Sequence, residues 1–177
     1  MIPGIRTNYN GRTYRSRLEA RWAAMFDLLR WRFEYEPFDL NGYIPDFILP
    51  TAGEEIIVEV KPYTRLEQFD RGKILRAMRG TPWAGHEVLL LGATLPRTSD
   101  DSAAIGWLGE HGYDPADEDG YWFQCAAFED NDFCAEYGQY RRRLTGYYDG
   151  SPAIGNADAL ERVWRAAGDA VQWRPGR

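Results

Sequence analysis

Lysine is almost absent from this chain. Of 21 basic residues only Lys61 and Lys73 are lysine, and the other 19 are arginine. The two side chains are not interchangeable, so each lysine position is informative. Cysteine is equally scarce. Cys125 and Cys134 cannot make a disulfide scaffold, and a reducing cytoplasm is the expected setting. Eight residues separate them, no CxxC pair occurs, and His86 and His111 do not pair nearby, so a zinc site is not indicated. Long apolar runs are missing too. Stretches such as Val88-Leu89-Leu90-Leu91 are far too short to span a bilayer, so no membrane partner is expected. The first residues lack the basic-then-apolar layout of a secretory signal.

What is present is an ordinary globular balance, 44% hydrophobic and 27% charged over 177 residues, enough for one domain with a real core. The net charge of -6 argues against an indiscriminate nucleic-acid coat. That charge is segregated. Residues 1–97 hold 14 basic against 12 acidic residues, 98–140 hold none against 11, and 141–177 hold 7 against 4. The first half is thus a mildly basic body, and the acidity belongs to one later segment.

Residues 1–12 read as an irregular lead-in. The apolar stripe Leu18, Trp22, Met25, Phe26, Leu29 predicts a helix from about Tyr14 to Leu29. Alternation through Trp31, Phe33 and Tyr35 predicts a strand closed by Pro37. Two further strands follow, Ile44 to Leu49 and Glu55 to Lys61, the latter ended by Pro62. Thr64 to Met78 reads as a helix opened by a Thr64-x-x-Glu67 capping box. His86 to Leu95 reads as a buried strand. The order α-β-β-β-α-β is that of an α/β fold, a mixed sheet flanked by helices. Residues 98–120 read as acidic loop with one short helix near Ala103–Leu108. Tyr121 to Phe128 reads as a strand, and Asn156 to Ala167 as a helix ended by Gly168.

The chemistry concentrates in Glu19, Asp46, Glu59 and Lys61. On the third strand Ile56, Val58 and Val60 share one face, and Glu59 and Lys61 share the other, roughly 6–7 Å apart. A carboxylate in an apolar strand is costly unless it is paired or binds a cation. If the second and third strands form a hairpin, Asp46 and Glu59 converge into a hard-oxygen site suited to Mg²⁺, with the Val60 carbonyl as a further ligand. Lys61 beside them can orient or deprotonate an attacking water, or stabilise charge developing on a phosphate.

Pro45-Asp46, a short linker and Glu59-Val60-Lys61 resemble the motif of the PD-(D/E)XK nuclease superfamily. Ser16-x-x-Glu19-Ala20-x-Trp22 is similar to the first helix of its small phage, mobile-element and defence-associated members. The resemblance covers about residues 14–95. It implies a restriction-endonuclease-like core over residues 1–97. Residues 98–177 would then be an acidic extension with a strand and a C-terminal helix, packed on that core as a single domain. It further implies a Mg²⁺-dependent endonuclease that hydrolyses phosphodiester bonds in DNA, with Mn²⁺ as a substitute metal. Asp46, Glu59 and Glu19 would hold the metal, and Lys61 would be the catalytic lysine. Pro62 directly after Lys61 departs from the usual pattern, and the subfamily is left open.

Other readings stand beside these. Ser16-x-x-Glu19 is also a capping box that needs no chemistry. Glu59 and Lys61 also suit a solvated edge strand. Arg12, Arg15, Arg17, Lys73 and Arg76 suit phosphate contacts, and equally a solvated surface. Arg141-Arg142-Arg143 can contact phosphate or neutralise the acidic segment, the second being favoured. Tyr14 and Tyr63 flank the site and could stack on a base. The functional alternative is a nuclease-fold subunit that binds DNA or a partner protein in a larger assembly, the partner docking on segment 98–140. A DNA-mimicking inhibitor, acting through Asp114, Asp117, Glu118 and Asp119, is a third. The oligomeric state is open, a homodimer included.

Overall fold

A computed structural model describes residues 4–112, 120–148 and 150–172. The lead-in is structured. Strands β1 (Thr7–Tyr9) and β2 (Arg12–Tyr14) form a separate antiparallel hairpin. Asn10 and Gly11 form its turn, both with positive φ (47° and 77°), the backbone that a two-residue hairpin demands and Asn-Gly accepts at low cost. The helix therefore begins later than its apolar stripe alone predicts. Tyr14 is claimed by pairing with Thr7, and α1 runs Arg17–Leu28 behind an extended Ser16 whose side chain accepts the Glu19 N–H.

Strands β3 (Glu34–Tyr35), β4 (Phe47–Leu49) and β5 (Ile56–Val60) follow. The expected second helix is broken in two. A 3-10 turn at Leu66–Gln68 leads to an extended Phe69, and α2 (Arg71–Met78) restarts on Asp70, whose side chain accepts the Lys73 N–H at 3.1 Å. Gln68 rather than Glu67 closes the first turn, accepting the backbone N–H groups of Thr64 and Arg65. Strand β6 (Val88–Leu91) completes the α-β-β-β-α-β run.

Beyond β6 the expectation of acidic loop fails. Residues Ala104–His111 are strand β7, not a short helix. The strand pairs with β6 on one side and with β8 (Tyr121–Glu129) on the other, and β9 (Asp132–Ala135) adds an outer strand. Helix α3 runs Ala157–Ala170 behind an Asn156 cap. It passes through Gly168, the residue expected to end it, which lies against the Arg21 guanidinium where a Cβ would come to 3.1 Å.

The fold is thus α/β, with one seven-stranded mixed sheet in the order β3-β4-β5-β6-β7-β8-β9. Only β5–β6 is parallel. Helices α1 and α3 cover one face, packing Trp22, Phe26, Leu160 and Trp164 on Phe47, Val58 and Leu89. Helix α2 covers the other, with Ile74, Leu75 and Met78 on Ile57, Val88 and Leu90. The central strands are buried on both faces, which is why they read as near-continuous apolar runs. No helix among the described residues is long and apolar enough to cross a membrane.

Candidate functional site

The β4–β5 hairpin builds the site. Its register pairs Phe47 with Val58, so one step further Asp46 stands across from Glu59. Alternation sends Phe47 and Val58 into the α1-side core and turns Asp46 and Glu59 to the other face. Both acids are buried, 3% and 6% exposed. Asp46 Oδ2 accepts the Val60 N–H at 2.8 Å, which locks the carboxylate to the next strand. Lys61 lies 40% open and reaches inward.

The Lys61 ammonium sits among three oxygens. It lies 3.5 Å from Asp46 Oδ2, donates to the Val60 carbonyl at 3.1 Å and forms an ion pair with Glu59 Oε1. These are the atoms expected to hold Mg²⁺. A cation already occupies their focus, so their chemistry fits a hard cation: two carboxylates, one carbonyl, all oxygen. The fit extends to the count, because Mg²⁺ is commonly held by one or two carboxylates, with water and substrate phosphate completing the shell.

Burial, and then the Glu59 charge, raise the Asp46 carboxyl to about 7, against the opposing pull of Lys61 and the Val60 N–H. For Lys61 burial pulls downward, but Asp46 and Glu59 together outweigh it, and its pKa stays above the ordinary lysine value. Lys61 is therefore a fixed cation here. In this arrangement it is suited to orient and stabilise rather than to take a proton.

Glu19 does not join the pair. Its carboxylate serves the start of α1, accepting from Ser16 Oγ at 2.8 Å, the Arg15 N–H at 3.2 Å and Tyr35 Oη at 2.7 Å. Half of the expected capping box is present: Ser16 Oγ accepts the Glu19 N–H, but the Glu19 carboxylate accepts from Ser16 Oγ and the Arg15 N–H instead of the Ser16 N–H. Among the described residues no three Asp, Glu, His or Cys side chains converge as a metal cluster. Glu19 still lies close enough for its charge to help raise Asp46.

Two further residues at the site carry no distinctive sequence signal. Tyr43, just past the Asn41-Gly42 turn, is buried and donates to Glu59 Oε2. Burial and that same carboxylate push its phenol strongly upward, so it is a donor at any ordinary pH. Tyr35 plays the matching part for Glu19. The available signal was a tyrosine three residues before Asp46 and another at the end of an edge strand, neither distinctive by itself.

The basic residues divide. Arg15, expected as a phosphate contact, bridges Glu36 and Asp46, the latter at 3.1 Å. Arg12 is exposed on β2, 5.9 Å from the Tyr35 ring. Lys73 is exposed on α2 and sits 5.9 Å from the Tyr43 ring, which puts the second lysine on the Glu59 side of the site. Arg17 and Arg76 are also exposed. Tyr14 is only 3% exposed and packs on Tyr35, so it cannot stack on a base. Tyr63 is half-buried, edge-on to Phe69.

The later acidity is partly balanced within the fold. Arg143, fully buried, pairs with Glu87 at 2.9 Å and Glu110 at 2.5 Å, and Arg142 pairs with Glu129 at 2.5 Å. Arg142 and Arg143 thus take the neutralising role expected of the arginine triplet, whereas Arg141 is paired with Glu87, which precedes the acidic segment. Cys125 and Cys134 are free thiols. Asp114, Asp117, Glu118 and Asp119 lie outside the described residues.

No protein-family model, curated protein or solved structure matches this chain.

Proposed function

We propose that the chain is a Mg²⁺-dependent deoxyribonuclease of the PD-(D/E)XK type, with a restriction-endonuclease-like core. The observation that carries the reading is the convergence of Asp46, Glu59, the Val60 carbonyl and Lys61 from one hairpin into a single cation-holding focus. Buried carboxylates drawn together on a sheet face are costly for stability alone, which favours a functional reason.

In this reading Asp46, Glu59 and the Val60 carbonyl hold the metal. Bound there, Mg²⁺ supplies Lewis-acid polarisation of the phosphate and of the attacking water. Lys61 leaves the carboxylates and turns its charge to the water and the phosphate oxygens. Tyr43 keeps Glu59 in place through its hydroxyl, and Arg15, Arg12 and Lys73 receive the DNA backbone. Glu19 acts as a positioning residue, fixing the start of α1 and hence Arg15.

Plasmid and single-stranded DNA cleavage with Mg²⁺ or Mn²⁺ tests this. Asp46→Ala and Lys61→Ala should each lower cleavage about 10²–10³-fold, the usual loss for one electrostatic contact to a developing charge. Activity unchanged in both variants sinks the proposal. A well-folded chain that cleaves nothing in either metal favours the assembly subunit instead.

A further inference from the structure

A second concave surface lies beside the hairpin β1–β2. Asn10, Arg12, Tyr14, Asp27, Trp31, Arg32 and Phe33 line a groove of about 420 Å³. Arg12 and Arg32 are both exposed, and among the described residues neither is in an ion pair. Tyr14 and Trp31 are buried beneath the groove, and Phe33, half-buried, is the ring it leaves partly open. The single carboxylate, Asp27, is engaged locally. It lies 3.5 Å from Asn10 Nδ2 and bonds the Tyr9 hydroxyl, whose pKa burial and Asp27 together push up to about 12.

The groove is joined to the site by contacts already described. The Arg12 guanidinium lies over Tyr35 at 5.9 Å. Tyr35 Oη accepts the Arg15 N–H at 3.0 Å, and Arg15 reaches Asp46. Arg12 and Arg15 thus line the β3 edge of the sheet between the groove and the carboxylates, Arg15 being paired with Glu36 and Asp46.

We infer that this groove holds a single-stranded nucleic-acid segment flanking the scissile phosphate. The inference rests on the nuclease reading and adds a substrate class to it. Exposed arginines outside any ion pair beside a partly open ring suit a single strand, since guanidinium groups take phosphates and the half-buried Phe33 ring can take a base face without regard to sequence. A groove of this volume admits a nucleotide-sized segment, whereas a duplex is far too wide.

The test is fluorescence anisotropy on a labelled single strand of about 20 nucleotides, in EDTA, from about 50 to about 200 mM salt. Arg12→Glu with Arg32→Glu should weaken binding at least roughly tenfold and flatten the salt slope by about 0.7 per lost phosphate contact. Arg162→Glu with Arg165→Glu, the same charge change on exposed α3 positions, should weaken it far less. Arg32→Gln gives a milder variant should the double reversal fail to fold by circular dichroism. Unchanged binding in the groove variants, an equal loss in the α3 variants, or an equal loss on blunt duplex each overturns the inference. Wild-type cleavage of DNA with Mg²⁺ in the same preparation leaves the nuclease reading standing in those cases. Absence of both binding and cleavage overturns the two together.

Discussion

Asp46 is the residue where stability and function pull apart. In the unfolded chain its proton leaves near the ordinary carboxylate value of about 3.9. In the fold, burial and Glu59 hold it until about 7. Between those values the native state keeps a proton that the unfolded chain has released. Stability therefore falls as pH rises through the window, and the loss is complete above it. Asp46→Asn keeps an oxygen for the Val60 N–H and removes the titration. It should stabilise the protein at about pH 8 by roughly 1–3 kcal/mol, with the gain shrinking toward about pH 4. Urea unfolding at several pH values measures this, and a variant with the wild-type pH slope would show that Asp46 is not the group responsible. On the proposed nuclease reading the same substitution should lower cleavage about 10²–10³-fold, because an ionised carboxylate would be needed to hold the metal. A site that gains stability on losing its acid has kept that acid for another purpose.

At the scale of elements, β7 decides the architecture and was the hardest to read. Its sequence Ala104-Ile105-Gly106-Trp107-Leu108-Gly109 lacks both clear alternation and β-branched runs, and its two glycines suggest loop. Those glycines are packing requirements. A Cβ on Gly106 would lie 2.4 Å from the Leu90 carbonyl oxygen of β6, and the register slips there between Ala104 and Gly106. Backbone cannot yield as a side-chain tip does, so Gly106→Ala should cost about 2–3 kcal/mol in chemical denaturation. A loss of under about 0.5 kcal/mol would show that β6 and β7 are not held so closely. Where the local signal and the tertiary partner agreed, the sequence was legible. The residues of β5 alternate between two cores as expected, and Asn156 caps α3. The motif residues Asp46, Glu59 and Lys61 could be placed because period-two alternation and one hairpin suffice to bring them together. Tyr43 and the Glu19 cap depend on which oxygen a long side chain reaches, and spacing does not encode that. The hairpin β1–β2 was hidden for another reason: its three-residue strands are too short to show a period.

For the whole molecule, the charge boundary at residue 97 does not coincide with any boundary in the sheet. All the candidate site residues precede it, yet the strands that follow it, β7 to β9, continue the same sheet. Strand β6, fully buried, has β7 along one side. Helix α1 packs against α3, where the Trp22 and Trp164 rings are 4.5 Å apart and Arg21 lies 3.6 Å over Trp164 while bonding its carbonyl. Of the 26 buried residues in the α1-side core, ten come from beyond residue 97, among them Ile105, Phe133, Leu160 and Trp164. A large apolar side chain contributes about 1.5–3 kcal/mol when fully buried, and a domain of this size is stable by only about 5–15 kcal/mol in all. Six of the ten are large apolar side chains (Ile105, Leu108, Phe133, Leu160, Trp164 and Val171), and removing them while exposing β6 as an apolar edge consumes that margin. A fragment of residues 1–97, although it carries the entire site, should therefore lack cooperative thermal unfolding and dispersed amide resonances, and should cleave no DNA. A fragment that folds cooperatively and retains cleavage would instead make the acidic segment an appended unit. In that case its carboxylates, and not only Arg142 and Arg143 beside them, would have to be explained by a partner.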